Sequence, residues 1–185
     1  MFTIEKYNHL EKKQKDIDGK ILSTIELCCT ISSYLTVEQG IANYTFQEII
    51  YDSMLKNYNY LDCIRGTSKF WFLFNDNNIC GFIMGFFPVK NITEYIPDFI
   101  NDYNNFYIGS LFVLPQYQNK KFGSKLLKII IEYCESMKYK QIYLNVSEKN
   151  FNALRFYKKH NFYITEFNEK YNIYTLYKDL QPLTE

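Results

Sequence analysis

The stretch that most constrains the fold begins with an apolar run of strand character, Ile108 to Val113, which stops before Pro115. Proline cannot donate to a strand ladder, so the strand ends there. A polar loop containing Gly123 follows. After it, apolar residues recur at helical period on one face of a predicted helix: Leu126, Leu127, Ile130, Ile131 and Cys134. Free N–H groups at a helix start, together with the helix dipole, favour an anion. The stretch therefore predicts an anion site at a strand-loop-helix joint.

The loop before this helix matches neither of two well-known phosphate-binding patterns. A P-loop needs a Gly, four further residues and then Gly-Lys-Ser/Thr. Here Gly123 is followed by Ser124, and no Gly stands at the required distance before it. A dinucleotide fingerprint needs three glycines, and two of them are missing. The loop is therefore predicted to be neither a P-loop nor a Rossmann-type dinucleotide turn.

A second patterned segment runs from Leu144 to Phe162 and reads as a strand followed by a helix. Asn150 stands at the predicted N-cap, where Asn is among the preferred residues. Asn161 stands just after the helix. Because Asn is one of the few residues besides Gly that enters the left-handed conformation, it suits a helix C′ position. The segment therefore predicts a strand, a capped helix and a left-handed stop.

Together the two segments resemble the acetyl-CoA-binding region of the GNAT superfamily of N-acetyltransferases. The family's loop reads Gln/Arg-x-x-Gly-x-Gly/Ala, which Gln118 and Gly123 match, while Lys121 stands where the first Gly is usual. Lys lacks the backbone freedom of Gly. The later segment is similar to the family's Asn-x-x-Ala-x-x-x-Tyr helix and its flanks, matched here by Val146, Asn150, Ala153, Tyr157 and Phe162. The chain is therefore identified as a member of this superfamily.

The resemblance implies acetyl-CoA as the co-substrate and no metal. The backbone of the strand end, at Leu111, Phe112 and Val113, would pair with the pantetheine arm. Asn150 would bond the same arm as well as cap its helix. Tyr157 would be the general acid that protonates the leaving thiolate. The pyrophosphate would rest on the amides of the loop and the helix start, which assigns Gln118, Asn119, Lys120, Lys121, Phe122, Gly123 and Ser124.

The acceptor implied by the resemblance is a primary amine on a small molecule or a peptide. The connection from Pro88 to Asn105 is longer than a hairpin needs, and long loops are often binding loops. It carries Glu94, Asp98 and Asp102, which favour a small cationic amine. Some family members place a glutamate base on the central strand, near the position of Tyr107 in this chain. No base is assigned, and Tyr107 is kept as a candidate substrate-site residue.

Composition argues against several other classes of protein. The 185 residues carry a net charge of +1, without the excess of basic residues typical of nucleic-acid binding. Five cysteines without a C-x-x-C pair argue against a disulfide framework or a zinc site. The two histidines, His9 and His160, stand in no triad or metal-ligand spacing. Because the chain has no apolar run of membrane-spanning length and no signal-type N-terminus, a cytoplasmic protein without membrane contact is expected.

The predicted elements run strand, helix, helix, hairpin, strand, helix, strand, helix and hairpin. A short strand at Phe2 and Ile4 comes first, then helices over 17–29 and 45–55 and a hairpin from Phe70 to Phe87, and a hairpin from Phe162 to Tyr177 closes the order. Such an order predicts a single α/β domain over residues 1–185. Its central sheet would be mixed and mostly antiparallel, with helices on both faces, as in the GNAT fold.

Three alternatives to acetyl transfer stay open. Transfer of another acyl group, or transfer to another nucleophile, would keep the same class of enzyme. A GNAT fold without turnover would serve as an acyl-CoA sensor. A structural interaction protein would account for the abundance of Tyr and Phe. Whether the chain forms a homodimer is also left open.

Overall fold

The structure, a computed structural model, describes residues 1–6, 68–76, 78–86 and 104–180. A 3-10 turn, Pro115–Tyr117, follows the fourth strand. None of the helices in the described ranges has the length and apolar character needed to cross a membrane. The strands and helices are β1 (Phe2–Lys6), β2 (Ser68–Asn75), β3 (Asn78–Phe86), β4 (Asn105–Val113), α1 (Phe122–Ser136), β5 (Gln141–Ser147), α2 (Phe151–Lys159), β6 (Tyr163–Asn168) and β7 (Ile173–Asp179).

The strands form a seven-stranded sheet in the order β1-β2-β3-β4-β5-β7-β6. Strand β4 is parallel to β5, and α1 supplies the crossover connection that a parallel pair requires. The pairs β1 with β2, β5 with β7, and β6 with β7 are antiparallel. The predicted mixed, mostly antiparallel sheet is therefore confirmed.

The predicted elements that fall on described residues are present. The strand at Phe2 and Ile4 is β1, the first hairpin is β2 and β3, and the closing hairpin is β6 and β7. The register of the closing hairpin shifts between Ile164 and Glu166, which marks a bulge there. The helices predicted over 17–29 and 45–55 lie outside the described residues.

The chain divides into two compact units. The first comprises Met1–Met84 and Ser110–Leu126, and the second comprises Gly85–Gly109 and Leu127–Glu185. Strands β3 and β4 and helix α1 each contribute residues to both units. The single domain predicted from the sequence stays a prediction.

The core of the first unit is a group of phenylalanine rings on neighbouring strands. Phe70 and Phe72 stack with centroids 5.7 Å apart. The ring of Phe82 lies 6.4 Å from that of Phe72 and 6.3 Å from that of Phe112. All four side chains are buried, so the alternate residues of β2, β3 and β4 share one apolar layer.

Helix α1 buries the face that its sequence predicts. Leu126, Leu127, Ile130 and Cys134 are fully buried, and Ile131 is partly buried. In the second unit, the ring of Phe106 lies 6.0 Å from that of Tyr133 on this helix. Burial raises the pKa of the Cys134 thiol, so the thiol stays protonated and serves as packing.

Gly85 allows β3 to approach β4 closely in the second unit. A Cβ atom at this position would lie 2.3 Å from the ring of Phe106 and 2.6 Å from the carbonyl oxygen of Tyr107. Both distances are far inside van der Waals contact. Only Gly therefore fits beside this part of β4, from which the Tyr107 side chain projects.

Candidate active site

In the first unit, β4 ends in a turn held by backbone and side-chain hydrogen bonds. The N–H of Leu114 donates to the carbonyl of Cys80 at 2.9 Å, and the side-chain amide of Gln118 donates to the carbonyl of Val113 at 2.9 Å. The backbone N–H of Gln118 donates to the carbonyl of Pro115 at 3.1 Å. Gln118 thus holds the turn together, and its backbone N–H is not available to an anion in this conformation.

Two residues of the loop before α1 adopt the left-handed conformation, Asn119 with φ 59° and Lys121 with φ 62°. Asn enters this region readily, whereas for most other residues it costs about 1–2 kcal/mol. Lys121 occupies the position where the family's loop has its first Gly. The backbone therefore makes the glycine-like turn without glycine, at a conformational cost.

Helix α1 starts directly after this turn. The N–H of Lys125 donates to the carbonyl of Lys121 at 3.1 Å, which is the first bond of the helical ladder. The N–H groups of Phe122 and Gly123 therefore have no carbonyl one turn earlier in the helix to which they could donate. These N–H groups and the positive end of the dipole make the start of α1 suitable for an anion.

The charges around the start of α1 also favour an anion. Lys120, Lys121 and Lys125 are exposed, and the first turn of the helix contains no acidic residue. The Lys120 Nζ lies 5.6 Å from the ring centroid of Tyr117, and the Lys125 Nζ lies 5.4 Å from that of Phe122. Cations near the positive end of a helix are unfavourable without a counter-ion. This group of residues is therefore suited to an anionic ligand.

The register between β4 and β5 ends before β4 does. The residue pairs run from Asn105 to Ile108, whereas β4 continues to Val113. Within the first unit, Phe112 and Val113 bury their side chains. A role for Leu111, Phe112 and Val113 in binding the pantetheine arm would therefore fall to their backbone groups. That role stays a prediction.

Asn150 caps α2, as predicted. Its Oδ1 accepts a hydrogen bond from the N–H of Ala153 at 3.0 Å. Its carbonyl accepts from the N–H of Leu154 at 3.0 Å, which begins the helical ladder. The cap fixes where α2 starts and therefore which of its residues face inward. Contact between Asn150 and a pantetheine arm stays a prediction.

The other end of α2 is closed by a Schellman motif. The N–H of Asn161 donates to the carbonyl of Lys158 at 3.1 Å, and the N–H of Phe162 donates to that of Tyr157 at 3.1 Å. Asn161 has φ 62°, which confirms the left-handed conformation predicted for it. The rings of Phe162 and Tyr157 meet edge to face at 5.5 Å. The Schellman motif and the Phe162 ring therefore orient Tyr157 at the C-terminal end of α2.

Tyr157 and Tyr107, both predicted site residues, come together in the second unit. Each exposes 8% of its surface, and their hydroxyl groups interact electrostatically. Burial raises the pKa of both phenols, and Tyr157 raises that of Tyr107 further. The backbone N–H of Asn145 donates to the Tyr107 hydroxyl, which lowers its pKa by a smaller amount. Both phenols keep their protons at neutral pH, so neither acts as a base there.

A polar pair next to this site was not among the predicted residues. Thr175 is 2% exposed, and its Oγ1 donates to the Oδ1 of Asn145 at 3.0 Å. The available signal is the alternation along β5, where Tyr143, Asn145 and Ser147 stand between apolar residues. Strict alternation predicts one polar face.

The predicted acceptor residues Glu94, Asp98 and Asp102 lie outside the described residues. Within the described ranges, no group of three or more His, Cys, Asp or Glu side chains is placed to hold a metal ion. The predicted site residues that the structure describes are therefore the end of β4 and the turn before α1 in the first unit, and Asn150 with the tyrosine pair in the second.

Comparison with known families gives one match over most of the chain. A model of the acetyltransferase (GNAT) family matches residues 34–162. Among curated proteins, the spermine/spermidine N(1)-acetyltransferase of Bacillus subtilis (strain 168) is 35% identical over 92 residues. That match covers 49% of this chain and 56% of the relative. The chain thus spans about half the length of the curated relatives it matches.

Solved structures share the fold. The PaiA N-acetyltransferase from Thermoplasma acidophilum, in complex with coenzyme A, superposes with a TM-score of 0.70 at 20% identity, covering 96% of this chain and 99% of the other. A GNAT-family acetyltransferase from Staphylococcus aureus Mu50 gives 0.63 at 23% identity, covering 98% and 100%. At such identities the likeness concerns the fold alone, and it confirms the predicted fold class.

Proposed function

The chain belongs to the GNAT family of acetyltransferases, and from this membership we propose that it transfers an acetyl group from acetyl-CoA to a primary amine. The observation that carries the proposal is the turn at the start of α1. There Lys121 takes a left-handed conformation, the N–H groups of Phe122 and Gly123 precede the first bond of the helical ladder, and Lys120, Lys121 and Lys125 are exposed. The buried, unpaired Cys80 and Cys134 suit a reducing compartment, so the proposed location is the cytoplasm.

Acetyl-CoA supplies a thioester, whose acetyl group an amine takes with release of a thiolate. The amides from Asn119 to Ser124 would hold the pyrophosphate, and Lys120, Lys121 and Lys125 would balance its charge. The backbone of β4 from Leu111 to Val113 would pair with the pantetheine arm. A backbone N–H there would also polarise the thioester carbonyl.

Tyr157 would donate a proton toward the departing sulfur. A phenol with a raised pKa is a weak acid toward a thiolate whose pKa is about 8.5, the value for Cys. Its main contribution is therefore a hydrogen bond that strengthens as negative charge develops on sulfur. Hydrogen bonds to charged groups contribute about 1.5–3 kcal/mol. Tyr107, whose hydroxyl is bound to the backbone of Asn145, would keep Tyr157 in place rather than take part itself.

A small cationic amine is the proposed acceptor class. The Bacillus subtilis relative is named for spermine and spermidine, which are amines of this kind. The acidic residues Glu94, Asp98 and Asp102 of this chain would attract such a molecule. The matching segment covers 56% of that relative, so the acceptor of this chain needs its own measurement.

Two measurements on the full chain test the proposal. The first is the thermal shift caused by acetyl-CoA: a ligand at 100 times its Kd stabilises the fold by about 2.7 kcal/mol, or about 5–10 °C in Tm for a chain of this size. The variant Gly123→Asp should lose the shift, because its carboxylate opposes the pyrophosphate. It should still fold, because an acidic residue is favourable in a first helical turn. Gly123→Ala, which the family's loop pattern allows, should keep the shift.

The second measurement is release of free CoA thiol when amines are added to the protein with acetyl-CoA. Amine-dependent release that Gly123→Asp abolishes is the expected result. If acetyl-CoA causes a thermal shift but no amine causes release of CoA thiol, the chain is an acyl-CoA sensor and not an enzyme. If acetyl-CoA causes no thermal shift and no amine causes thiol release, the proposed function is refuted.

A further inference from the structure

Four tyrosines stand in one transverse row across the second unit. Cα partners in the ladders are Tyr107 with Tyr143, Tyr143 with Tyr177, and Tyr177 with Tyr163. Directly paired residues point to the same face of a sheet. The row therefore crosses β4, β5, β7 and β6 on a single face, and we call it the tyrosine row.

The row runs from a buried end to an exposed end. Tyr107 and Tyr143 expose 8% and 6% of their surfaces, Tyr177 is partly exposed, and Tyr163 on β6 exposes 59%. The ring centroids of Tyr143 and Tyr177 lie 6.2 Å apart, and those of Tyr177 and Tyr163 lie 6.0 Å apart. The buried end is the Tyr107 hydroxyl that interacts with Tyr157. The row thus leads from that hydroxyl pair toward the edge of the sheet.

The residues beside the row are amides, hydroxyls and carboxylates. On one side, Gln141 accepts from the Tyr143 hydroxyl at 2.6 Å and donates to Asp179 at 2.8 Å. On the other side, the ladder partners of Thr175 are Asn145 on β5 and Glu166 on β6. Asp179 and Glu166 are both exposed. The face therefore presents two carboxylates next to aromatic rings.

Positive charge is missing from this face among the described residues of β4, β5, β6 and β7 in the second unit. The lysine of these strands, Lys178, has Ile142 as its ladder partner and belongs to the opposite face. Both described helices have contacts with that opposite face, and Tyr157 of α2 also reaches the Tyr107 hydroxyl. The Lys178 ammonium donates to the carbonyl of His160 at the end of α2, and Phe106 contacts Tyr133 of α1. The tyrosine row therefore lies on the acidic and aromatic side of the strands.

From this arrangement we infer that the tyrosine row, with Asp179 and Glu166, is the binding track for a linear polyamine acceptor, a chain of ammonium groups separated by short methylene spacers. The inference rests on the proposed function and names the substrate class of that same site. The reacting amine would lie at the Tyr107 end, and the distal ammonium groups would lie over Tyr177 and Tyr163.

The dimensions of the row suit such a chain. Three steps between neighbouring strands span about 14 Å. Spacers of three or four carbons separate successive nitrogens by about 5–6 Å at standard bond lengths. The ring steps of 6.2 and 6.0 Å are close to that separation. Aromatic faces attract ammonium groups, Tyr among them. The apolar spacers would rest on the rings between the charges.

The test compares acceptors of different length on a variant of the exposed end of the row. The double variant Tyr163→Leu with Glu166→Gln removes one ring and one charge, both at exposed positions where the fold is least affected. The acceptors are butylamine, 1,4-diaminobutane and spermidine, each with saturating acetyl-CoA. For spermidine, kcat/KM should fall about 3- to 20-fold. Butylamine does not reach the outer end of the row, so its kcat/KM should change by no more than about twofold. That factor corresponds to the weakest cation–aromatic contact.

Two matched controls come from the same hairpin. Phe167→Leu changes a ring on the opposite face of β6, and Glu169→Gln removes a carboxylate from the adjoining turn. Both should leave the spermidine-to-butylamine ratio of kcat/KM unchanged. An equal loss for all three acceptors in the double variant, or no loss for spermidine, would overturn the inference.

Failure of the proposed function gives a different result. If the unaltered chain releases no CoA thiol with any amine, the proposed enzyme is wrong. Spermidine binding by titration calorimetry then decides the inference separately. Weaker binding to the double variant than to the Glu169→Gln control supports the track, and equal binding refutes it.

Discussion

The left-handed conformation of Lys121 leads to the sharpest prediction about this chain. Residues other than Gly, Asn and Asp rarely have φ near 62°, the value at this position. Replacing Lys121 with Ala removes the charge and keeps the strain, while replacing it with Gly removes both. The difference in stability between Lys121→Gly and Lys121→Ala therefore measures the free-energy cost of the backbone conformation at this position.

Two opposing free energies, the cost of the left-handed conformation and the backbone entropy of Gly, set the size of this stability difference. The left-handed conformation costs a residue with a Cβ about 1–2 kcal/mol. Gly loses more backbone freedom on folding than Ala, which offsets about 0.5–1 kcal/mol of that gain. The Gly variant should thus be more stable than the Ala variant by about 0.5–1 kcal/mol. For a chain of this size, that corresponds to about 1–4 °C in Tm.

Lys125 provides the control, because it lies one turn later within α1. There Gly should be less stable than Ala by about 0.8–1 kcal/mol, as in other helix interiors. The Gly-minus-Ala difference in Tm should therefore have opposite signs at the two lysines. Thermal unfolding of the four variants, without acetyl-CoA and at one ionic strength, measures it. The same sign at both positions would refute the left-handed turn at Lys121.

Three other outcomes are expected. Tyr157→Phe should lower kcat and kcat/KM together by about 10- to 100-fold, the range for a hydrogen bond to a charged group, and should keep the acetyl-CoA thermal shift; full kcat with spermidine would exclude Tyr157 as the donor. Stability should fall above pH 10, because Tyr107 and Tyr157 keep their protons in the fold while the unfolded chain ionises there. Above pH 10, each of these tyrosines lowers the unfolding free energy by about 1.4 kcal/mol per pH unit. Urea unfolding at pH 9 to 11 should therefore show a shallower decline of that free energy in the variant Tyr107→Phe with Tyr157→Phe than in the unaltered chain. Asn150→Ala should cost about 1 kcal/mol of unfolding free energy, and Asn150→Ser should restore most of it; equal stability of all three chains would contradict the cap.

Local features of the fold could be predicted from the sequence. The cap at Asn150 and the left-handed stop at Asn161 follow from what those side chains and backbones do within a few residues. The buried face of α1 follows from helical period, and the hairpin of β2 and β3 from apolar runs around a turn. The family could be predicted for a related reason. Its loop and its Asn-x-x-Ala-x-x-x-Tyr helix are each contained in a short segment.

The conformation of Lys121 was harder to infer. Its residue type favours the right-handed region, and the sequence indicated only that a Gly was missing. In the structure, Lys121 is left-handed within a turn whose first residues are held by the hydrogen bonds of Gln118. In the same way, the sequence assigned the backbone N–H of Gln118 to an anion, whereas Pro115 already accepts its hydrogen bond.

What the sequence determined by itself is therefore the elements on the described residues, the cap and stop of α2, and the family, because these depend on interactions between residues close together in the chain. What only the tertiary structure decided is which residues meet across strands. Tyr107, Tyr143, Tyr177 and Tyr163 lie far apart in sequence and form a row only in one register. A shift of one residue in any ladder would turn a tyrosine to the other face, because side chains alternate with a period of two. The acidic face beside the row depends on that register as well. The meeting of Tyr107 with Tyr157 needs the register of β4 together with the local cap and stop that orient Tyr157.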